Sequence, residues 1–191
     1  MCLAIVKPAS AVVPEDALRA GWISNSDGGG FAFVSNGEVV IANGYMKLKD
    51  FYAAYNSAVE ANPDSPFLLH FRICSMGDVS KDNTHPFPIE GGALIHNGTL
   101  SGTAARYSTG PSDTKYFVEM FKKDLSFDVI QDNKGKWDAA MGHNKLAMLY
   151  NDGRYQIVNE GLGVWEGGVW YSNHSFRTRS YSAFQDQINW E

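Results

Sequence analysis

A cysteine directly follows the first residue of this chain. Methionine aminopeptidases remove Met1 when the next side chain is small, and the chain would then begin with Cys2. Such a residue offers a nucleophilic thiol and a free α-amine, whose pKa of about 7.7–8.0 lets it act as a general base. Cys2 would equally suit the start of a buried strand, Cys2–Val6, as a small apolar side chain. Its position alone leaves both interpretations open.

A charged side chain interrupts an apolar segment further along the chain. Arg72 lies within residues 67–74, which read Phe-Leu-Leu-His-Phe-Arg-Ile-Cys. Burying an unpaired guanidinium costs several kilocalories per mole, so this arginine needs a ligand or an acidic partner. Asp113 is simpler to explain, because it follows Ser112, which is suited to cap a helix. An acid at that position complements the helix dipole.

The pair Asn97-Gly98 follows the apolar segment Gly92–Ile95. Taken alone, the pair predicts a hairpin turn like the one expected at Asn36-Gly37, because such turns need positive φ angles. Glycine also suits a position where the backbone must approach a ligand closely. The two residues therefore fit either a turn or a binding site.

Five short motifs occur between residues 70 and 114. They are His70-Phe-Arg72, Ser75-Met-Gly77, Asn83-Thr-His85-Pro-Phe87, Ala93-Leu-Ile-His-Asn97-Gly98 and Ser112-Asp113-Thr114. In this order, behind Cys2 and the glycine-bearing segment Asn25-Ser-Asp27-Gly28-Gly-Gly30, they resemble the class II glutamine amidotransferases, which are N-terminal-nucleophile hydrolases. The resemblance is dense from Cys2 to Thr114, and after that only the strand ending in Trp170-Tyr-Ser-Asn173 is similar.

The resemblance implies a catalytic role for each matching residue. Cys2 would attack the carboxamide carbon of glutamine, giving a γ-glutamyl thioester and ammonia. The side-chain NH₂ of Asn97 and the backbone N–H of Gly98 would form the oxyanion hole. Arg72 would hold the substrate α-carboxylate in a bidentate pair, and Asp113 would accept the α-ammonium. The chain is thus expected to be an N-terminal cysteine amidohydrolase.

Three further residues are expected to bind substrate by the same resemblance. His85 would orient the site or fix its loop, since the α-amine already serves as the base. Ser75 and Gly77 lie in a segment that departs from the family, because several members have Thr-His-Gly where this chain has Ser-Met-Gly. Ile73 also replaces a common tryptophan. The substrate is therefore either glutamine or another γ-glutamyl amide.

The resemblance implies an α+β fold, a four-layer α-β-β-α sandwich of two antiparallel sheets, as a single domain over residues 1–191. The local pattern agrees, because turn signals predict hairpins pairing 31–35 with 38–42, 146–150 with 154–158, and 163–166 with 169–172. Two more strands are expected at 67–74 and 92–95. Helices are expected from Pro14 to Ala20, from Leu48 to Ala61, and after Ser112, where Tyr116, Phe117, Met120 and Phe121 form an apolar stripe.

Composition excludes several other classes of protein. The net charge is −5 and the 16 Lys and Arg residues are scattered, which argues against nucleic acid as a partner. No apolar run is long enough to cross a membrane, and the start lacks the pattern of a signal peptide, so we expect a cytoplasmic protein. The 2 cysteines and 5 histidines show no zinc-type spacing, so neither a metal nor another cofactor is expected.

The nitrogen acceptor and two rival functions remain open. At 191 residues we expect no fused synthase domain, so either a separate synthase subunit takes the ammonia or the chain is a free-standing amidohydrolase. One rival is a catalytically idle binding or regulatory subunit that retains Met1, because a blocked α-amine cannot act as the base. The other is a β-rich ligand-binding domain without chemistry. The tail 175–191 is expected either to pack on the domain or to dock a partner.

Overall fold

The structure is a computed structural model that describes residues 2–107 and 109–177. Its strands are β1 (Leu3–Lys7), β2 (Gly29–Ser35), β3 (Glu38–Tyr45), β4 (Phe67–Phe71), β5 (Phe87–Ile89), β6 (Gly92–Asn97), β7 (Lys145–Tyr150), β8 (Tyr155–Val158), β9 (Val164–Glu166) and β10 (Val169–Tyr171). Its α-helices are α1 (Glu15–Ser24), α2 (Leu48–Ala61), α3 (Asp113–Phe121), α4 (Phe127–Asp132) and α5 (Lys134–Met141).

The strands form two antiparallel sheets. The larger sheet has six strands in the order β3-β2-β4-β1-β10-β9, so the first strand of the chain lies inside it, between β4 and β10. The smaller sheet has four strands in the order β5-β6-β7-β8. Because β1 is an inner strand, hydrogen bonds on both sides fix the position of the residue that precedes it.

Three apolar clusters separate the layers. Leu3 and Ile5 of β1 face helices α1 and α2, where they pack with residues such as Phe51. Ala4 and Val6 alternate with them and face the smaller sheet. The outer face of the smaller sheet packs on α3, α4 and α5 through a cluster whose members include Leu94, Phe117, Ile130, Leu146 and Met148. The layers therefore run α-β-β-α, and the predicted sandwich is confirmed.

Turn chemistry places the hairpins where the sequence predicts them. Asn36 and Gly37 both adopt positive φ, at 52° and 78°, between β2 and β3. Gly167 and Gly168, at 59° and 79°, join β9 to β10 in the same way. Both pairs match the requirement of a type I′ turn, so the local sequence alone specifies these two hairpins.

The structure differs from the sequence predictions in several elements. The strand expected over 67–74 ends at Phe71, because its neighbours β1 and β2 begin at Leu3 and Gly29, both opposite that residue. Helices α4 and α5 and the short strand β5 were not expected at all. Met120 of the predicted apolar stripe is 62% exposed. The early end of β4 thus depends on neighbouring strands that are distant in sequence.

Two further expectations concern the C-terminal tail and membrane-spanning segments. Residues 178–191, most of the expected packing or docking tail, lie outside the described residues, as does Met1. None of the helices in the described part of the chain is long and apolar enough to cross a membrane.

Candidate active site

Cys2 lies at the start of β1, held by contacts from two other segments. Its backbone carbonyl accepts a hydrogen bond from Asn173 Nδ2 at 2.7 Å. Its half-buried thiol donates to the carbonyl of Ile73 at 3.4 Å. Loss of solvation raises the pKa of this thiol, so it stays protonated at neutral pH in the absence of a base.

Two buried charges of opposite sign act on that thiol. The Arg72 charge lowers the pKa of Cys2 and the Asp113 charge raises it, although the loss of solvation outweighs both effects. Arg72 is 3% exposed and Asp113 is 5% exposed. Among the residues that the structure describes, neither charge has an oppositely charged partner within 4.0 Å. The acidic partner that the sequence allowed for Arg72 is therefore not among them.

Arg72 is held by the loop that follows β4. Its Nη1 donates to the Asp78 carbonyl at 2.7 Å, and its Nη2 donates to the Met76 carbonyl at 2.9 Å and to Cys74 Sγ at 3.4 Å. Neutral carbonyls satisfy these donors without neutralising the charge. The guanidinium therefore keeps its positive charge, which acts on the Cys2 thiol.

Ser75 and Gly77 lie in the loop after β4, and Gly77 contacts the residues directly before α3. Gly77 has φ of +78°, and a Cβ built on it would lie 2.8 Å from the Gly110 carbonyl oxygen. Its N–H donates to the Arg106 carbonyl at 2.8 Å. Glycine is needed here because the two loops approach so closely. Ser75 is exposed on the same loop.

Asp113 is the first residue of α3, so the helix-capping interpretation of this segment is confirmed. The Ser112 hydroxyl accepts from the backbone N–H of Lys115 at 3.3 Å. Asp113 Oδ1 accepts from the Thr114 N–H at 2.8 Å, and its Oδ2 accepts from the Leu100 N–H at 2.7 Å. Oδ1 also accepts from Thr114 Oγ1 at 3.4 Å. The carboxylate thus ties the helix to the segment after Gly98, and Oδ2 retains a lone pair for a ligand.

Asn97 and Gly98 do not form a hairpin turn. Asn97 ends β6, and its partner strand β7 begins only at Lys145, after three intervening helices. Asn97 Nδ2 lies 2.8 Å from Ser172 Oγ, and the buried Oδ1 has no partner among the described residues. Gly98 has φ of +149°, and a Cβ there would clash with the side-chain amide of Asn144. The turn interpretation of this pair is therefore wrong.

Three buried histidines pack beneath the site. The His70 and His85 rings stand 3.9 Å apart between centroids, and His70 Nε2 lies 2.9 Å from the His96 carbonyl. Both ring nitrogens of His96 have partners, Thr114 Oγ1 at 2.8 Å and Asn144 Oδ1 at 2.9 Å. Loss of solvation is the main cause that lowers the pKa of all three, to about 3 for His70.

His85 is consequently neutral near pH 7. Its Nδ1 accepts a hydrogen bond of 3.4 Å from the backbone N–H of His96, in β6 directly before Asn97. This contact connects His85 to the strand that carries Asn97, and the orienting role of His85 stays a prediction. Among residues 2–107 and 109–177, no three side chains of His, Cys, Asp or Glu are placed to hold a metal ion.

Sequence reasoning missed Ser172 and Asn173 as site residues. The Ala4 N–H donates to Ser172 Oγ at 2.9 Å, and the Ser172 N–H donates to the Ala4 carbonyl at 2.9 Å. Asn173 Nδ2 donates a hydrogen bond to the carbonyl of Cys2. The only signal in the sequence was the similarity of Trp170–Asn173 to the family's strand, which indicated a strand rather than a role.

The neutral histidines predict how stability depends on pH. The folded protein keeps them uncharged, whereas the unfolded chain protonates histidine near pH 6.5. Below that pH the unfolded state binds more protons, so the free energy of unfolding falls by up to about 1.4 kcal/mol per pH unit for each of the three. Urea unfolding measured between pH 7 and pH 4.5 checks this. In the His70→Gln variant, the slope of the free energy of unfolding against pH should be smaller by up to about 1.4 kcal/mol per pH unit, the contribution of one histidine.

The control for this experiment is the exposed His143. The His143→Gln variant should keep the slope of the unmodified protein. An equal reduction of the slope in both variants would contradict the assignment of the pH dependence to the buried cluster.

Comparison with known proteins agrees with this architecture. No protein-family model matches the chain, and no curated protein does. Solved structures do match it, and one of them is the glutamine phosphoribosylpyrophosphate (PRPP) amidotransferase from B. subtilis, complexed with ADP and GMP. That match covers 90% of this chain and 41% of the other, at 16% sequence identity and a TM-score of 0.54. The chain thus spans about two fifths of that structure and shares its fold, which is the fold that the five motifs imply.

Proposed function

We propose that this chain hydrolyses the side-chain amide of glutamine through Cys2 and releases ammonia. The observation that carries the proposal is the pair of buried charges, Arg72 and Asp113, which both act on the Cys2 thiol and have no charged partner of their own among the described residues. An α-amino acid carries a carboxylate and an ammonium on one carbon. Its zwitterion would neutralise both charges at once and leave its side chain to reach the thiol.

The nucleophile in this proposal needs a base, because the pKa of the Cys2 thiol is raised. Removal of Met1 frees an α-amine on the same residue, and its pKa of about 7.7–8.0 leaves a useful neutral fraction at pH 7. The amine takes the thiol proton as sulfur bonds to the amide carbon. It then returns that proton to the departing nitrogen, which leaves as ammonia. Water hydrolyses the remaining γ-glutamyl thioester to glutamate.

The tetrahedral intermediate carries a negative oxygen that needs donors. Gly98 would supply a backbone N–H, and the positive φ and close approach of Asn144 show why no larger residue fits there. Asn97 would supply its side-chain NH₂ group. The Oδ1 atom of the same amide is buried and has no partner among the described residues. Removing a single donor of this kind typically costs about 10²–10³ in rate.

The two charges recognise only the α-amino-acid end of the substrate. Glutamine shares that end with every other γ-glutamyl amide, so the leaving group sets the remaining specificity. We propose free glutamine as the substrate, in the cytoplasm, with the ammonia passing to a separate nitrogen acceptor. Comparing kcat/KM for glutamine and for a γ-glutamyl anilide measures how far a substituted amide is accepted.

The first test compares forms of the protein that differ only at the N-terminus. Protein beginning with Cys2 should release ammonia from glutamine. The same chain carrying an uncleaved N-terminal extension keeps the thiol but has no free α-amine at Cys2, and should lose at least about 10²-fold in kcat. Cys2→Ala should lose activity with an unchanged free energy of unfolding. Equal turnover by the extended and processed forms would exclude the α-amine as the base.

The second test concerns Asp113. Asp113→Asn keeps the shape of the side chain and removes its charge, so KM for glutamine should rise about tenfold or more, with kcat changed much less. Deamino-glutamine, which lacks the α-ammonium, serves as the matched control substrate. Its KM should be nearly the same for the variant and the unmodified enzyme. A parallel rise of KM for both substrates would assign Asp113 a structural role only.

A further inference from the structure

The side chain of Asn97 lies in a small hydrogen-bond network with one inconsistency. Ser172 Oγ already accepts from the Ala4 N–H at 2.9 Å, and Asn97 Nδ2 lies 2.8 Å from the same oxygen. In this arrangement the hydroxyl proton of Ser172 has no acceptor among the described residues. The Oδ1 of Asn97 is likewise buried and has no donor. Two polar groups are thus unsatisfied side by side, which is costly in a buried site.

Rotating the Asn97 amide by 180° gives the Ser172 hydroxyl proton an acceptor without moving any other group. The oxygen and nitrogen of an amide have nearly the same size, so the exchange preserves the packing. The Ser172 hydroxyl then accepts from Ala4 and donates to Asn97 Oδ1. The Nδ2 group takes the position that had no partner. What remains unsatisfied is a donor rather than an acceptor.

We propose that Ser172 is a positioning residue that holds the Asn97 amide with its NH₂ group free to bind a negative oxygen. A hydroxyl that already accepts from a backbone N–H favours an acceptor as its second partner, and this selects the orientation of the amide. The inference deepens the proposed amide hydrolysis and rests on it for its catalytic meaning, since a free donor is what an oxyanion requires.

The same serine also ties the amide to the strand of the nucleophile. Its backbone N–H donates to the Ala4 carbonyl at 2.9 Å, so Ser172 binds both polar backbone groups of a residue two positions after Cys2. It is 1% exposed, which leaves little room for another rotamer. The position of Asn97 relative to Cys2 is therefore set through Ser172 as well as through the sheets.

Neutron diffraction of the deuterated protein tests the orientation directly, because it distinguishes an ND₂ group from an oxygen. We expect the Ser172 deuteron to point at Asn97 Oδ1, and the two Nδ2 deuterons to lie on the far side of the amide. Deuterons on the atom facing Ser172 would overturn the inference. This result does not depend on the substrate. If the unmodified protein fails to hydrolyse glutamine, the proposed function fails, and the neutron map still decides the orientation.

Kinetics test the consequence of that orientation. Ser172→Ala should lower kcat for glutamine by about 10-fold to 100-fold with KM changed less than about threefold, because the oxyanion forms only in the transition state. Ser172→Thr retains the hydroxyl and should restore kcat to within about threefold. Combined with Asn97→Ala, the Ser172→Ala change should cost little more, since both act through one donor.

Ser65 offers a matched control. Its buried hydroxyl also accepts from a strand N–H, that of Val34 at 2.9 Å, and donates to the Pro66 carbonyl at 3.0 Å. Ser65→Ala should reduce stability much as Ser172→Ala does and leave kcat within about twofold. Equal kcat for the two alanine variants would overturn the positioning role. If Ser172→Ala does not fold, the threonine variant and the neutron map carry the test.

Discussion

The hydrogen bonds between residues 2–4 and the segment after β10 fix where Cys2 lies. Asn173 holds the Cys2 carbonyl, and Ser172 binds both the N–H and the carbonyl of Ala4. Because β1 is an inner strand, β4 constrains the same residues from the other side. Cys2 itself has a contact on each side, with the Ile73 carbonyl and with Asn173, and therefore has a defined position.

The charges around that position are left uncompensated. Arg72 and Asp113 are buried and of opposite sign, and within the described ranges neither has a charged partner. Such groups destabilise a fold unless a ligand satisfies them. The three histidines beneath them stay neutral near pH 7, since burial lowers the pKa of each. Arg72 and Asp113 thus present one positive and one negative charge, the pattern on which the proposal of an α-amino-acid ligand rests.

Local sequence predicts only part of this arrangement. The turns at Asn36-Gly37 and Gly167-Gly168 and helix α2 follow from short-range rules, because turn glycines and apolar periodicity act within a few residues. The five motifs imply the fold, and two of them contain Arg72 and Asp113, whose charges act on the Cys2 thiol. Ser172 was missed because its role depends on contacts with Ala4 and Asn97, which are 168 and 75 residues away. Helices α4 and α5 were missed because packing on β8 rather than a strong sequence pattern specifies them.

The central claim is that Cys2, freed by removal of Met1, attacks glutamine. Its most direct test is the intact mass of the natively expressed protein, measured before and after exposure to an electrophilic glutamine analogue. The account predicts a mass lacking Met1 that gains one adduct, mapped to Cys2, with excess glutamine slowing the labelling. That result would establish processing, the nucleophile and glutamine recognition together. Retention of Met1 with no adduct, or an adduct on Cys74 alone, would contradict the account and favour a binding subunit that performs no chemistry.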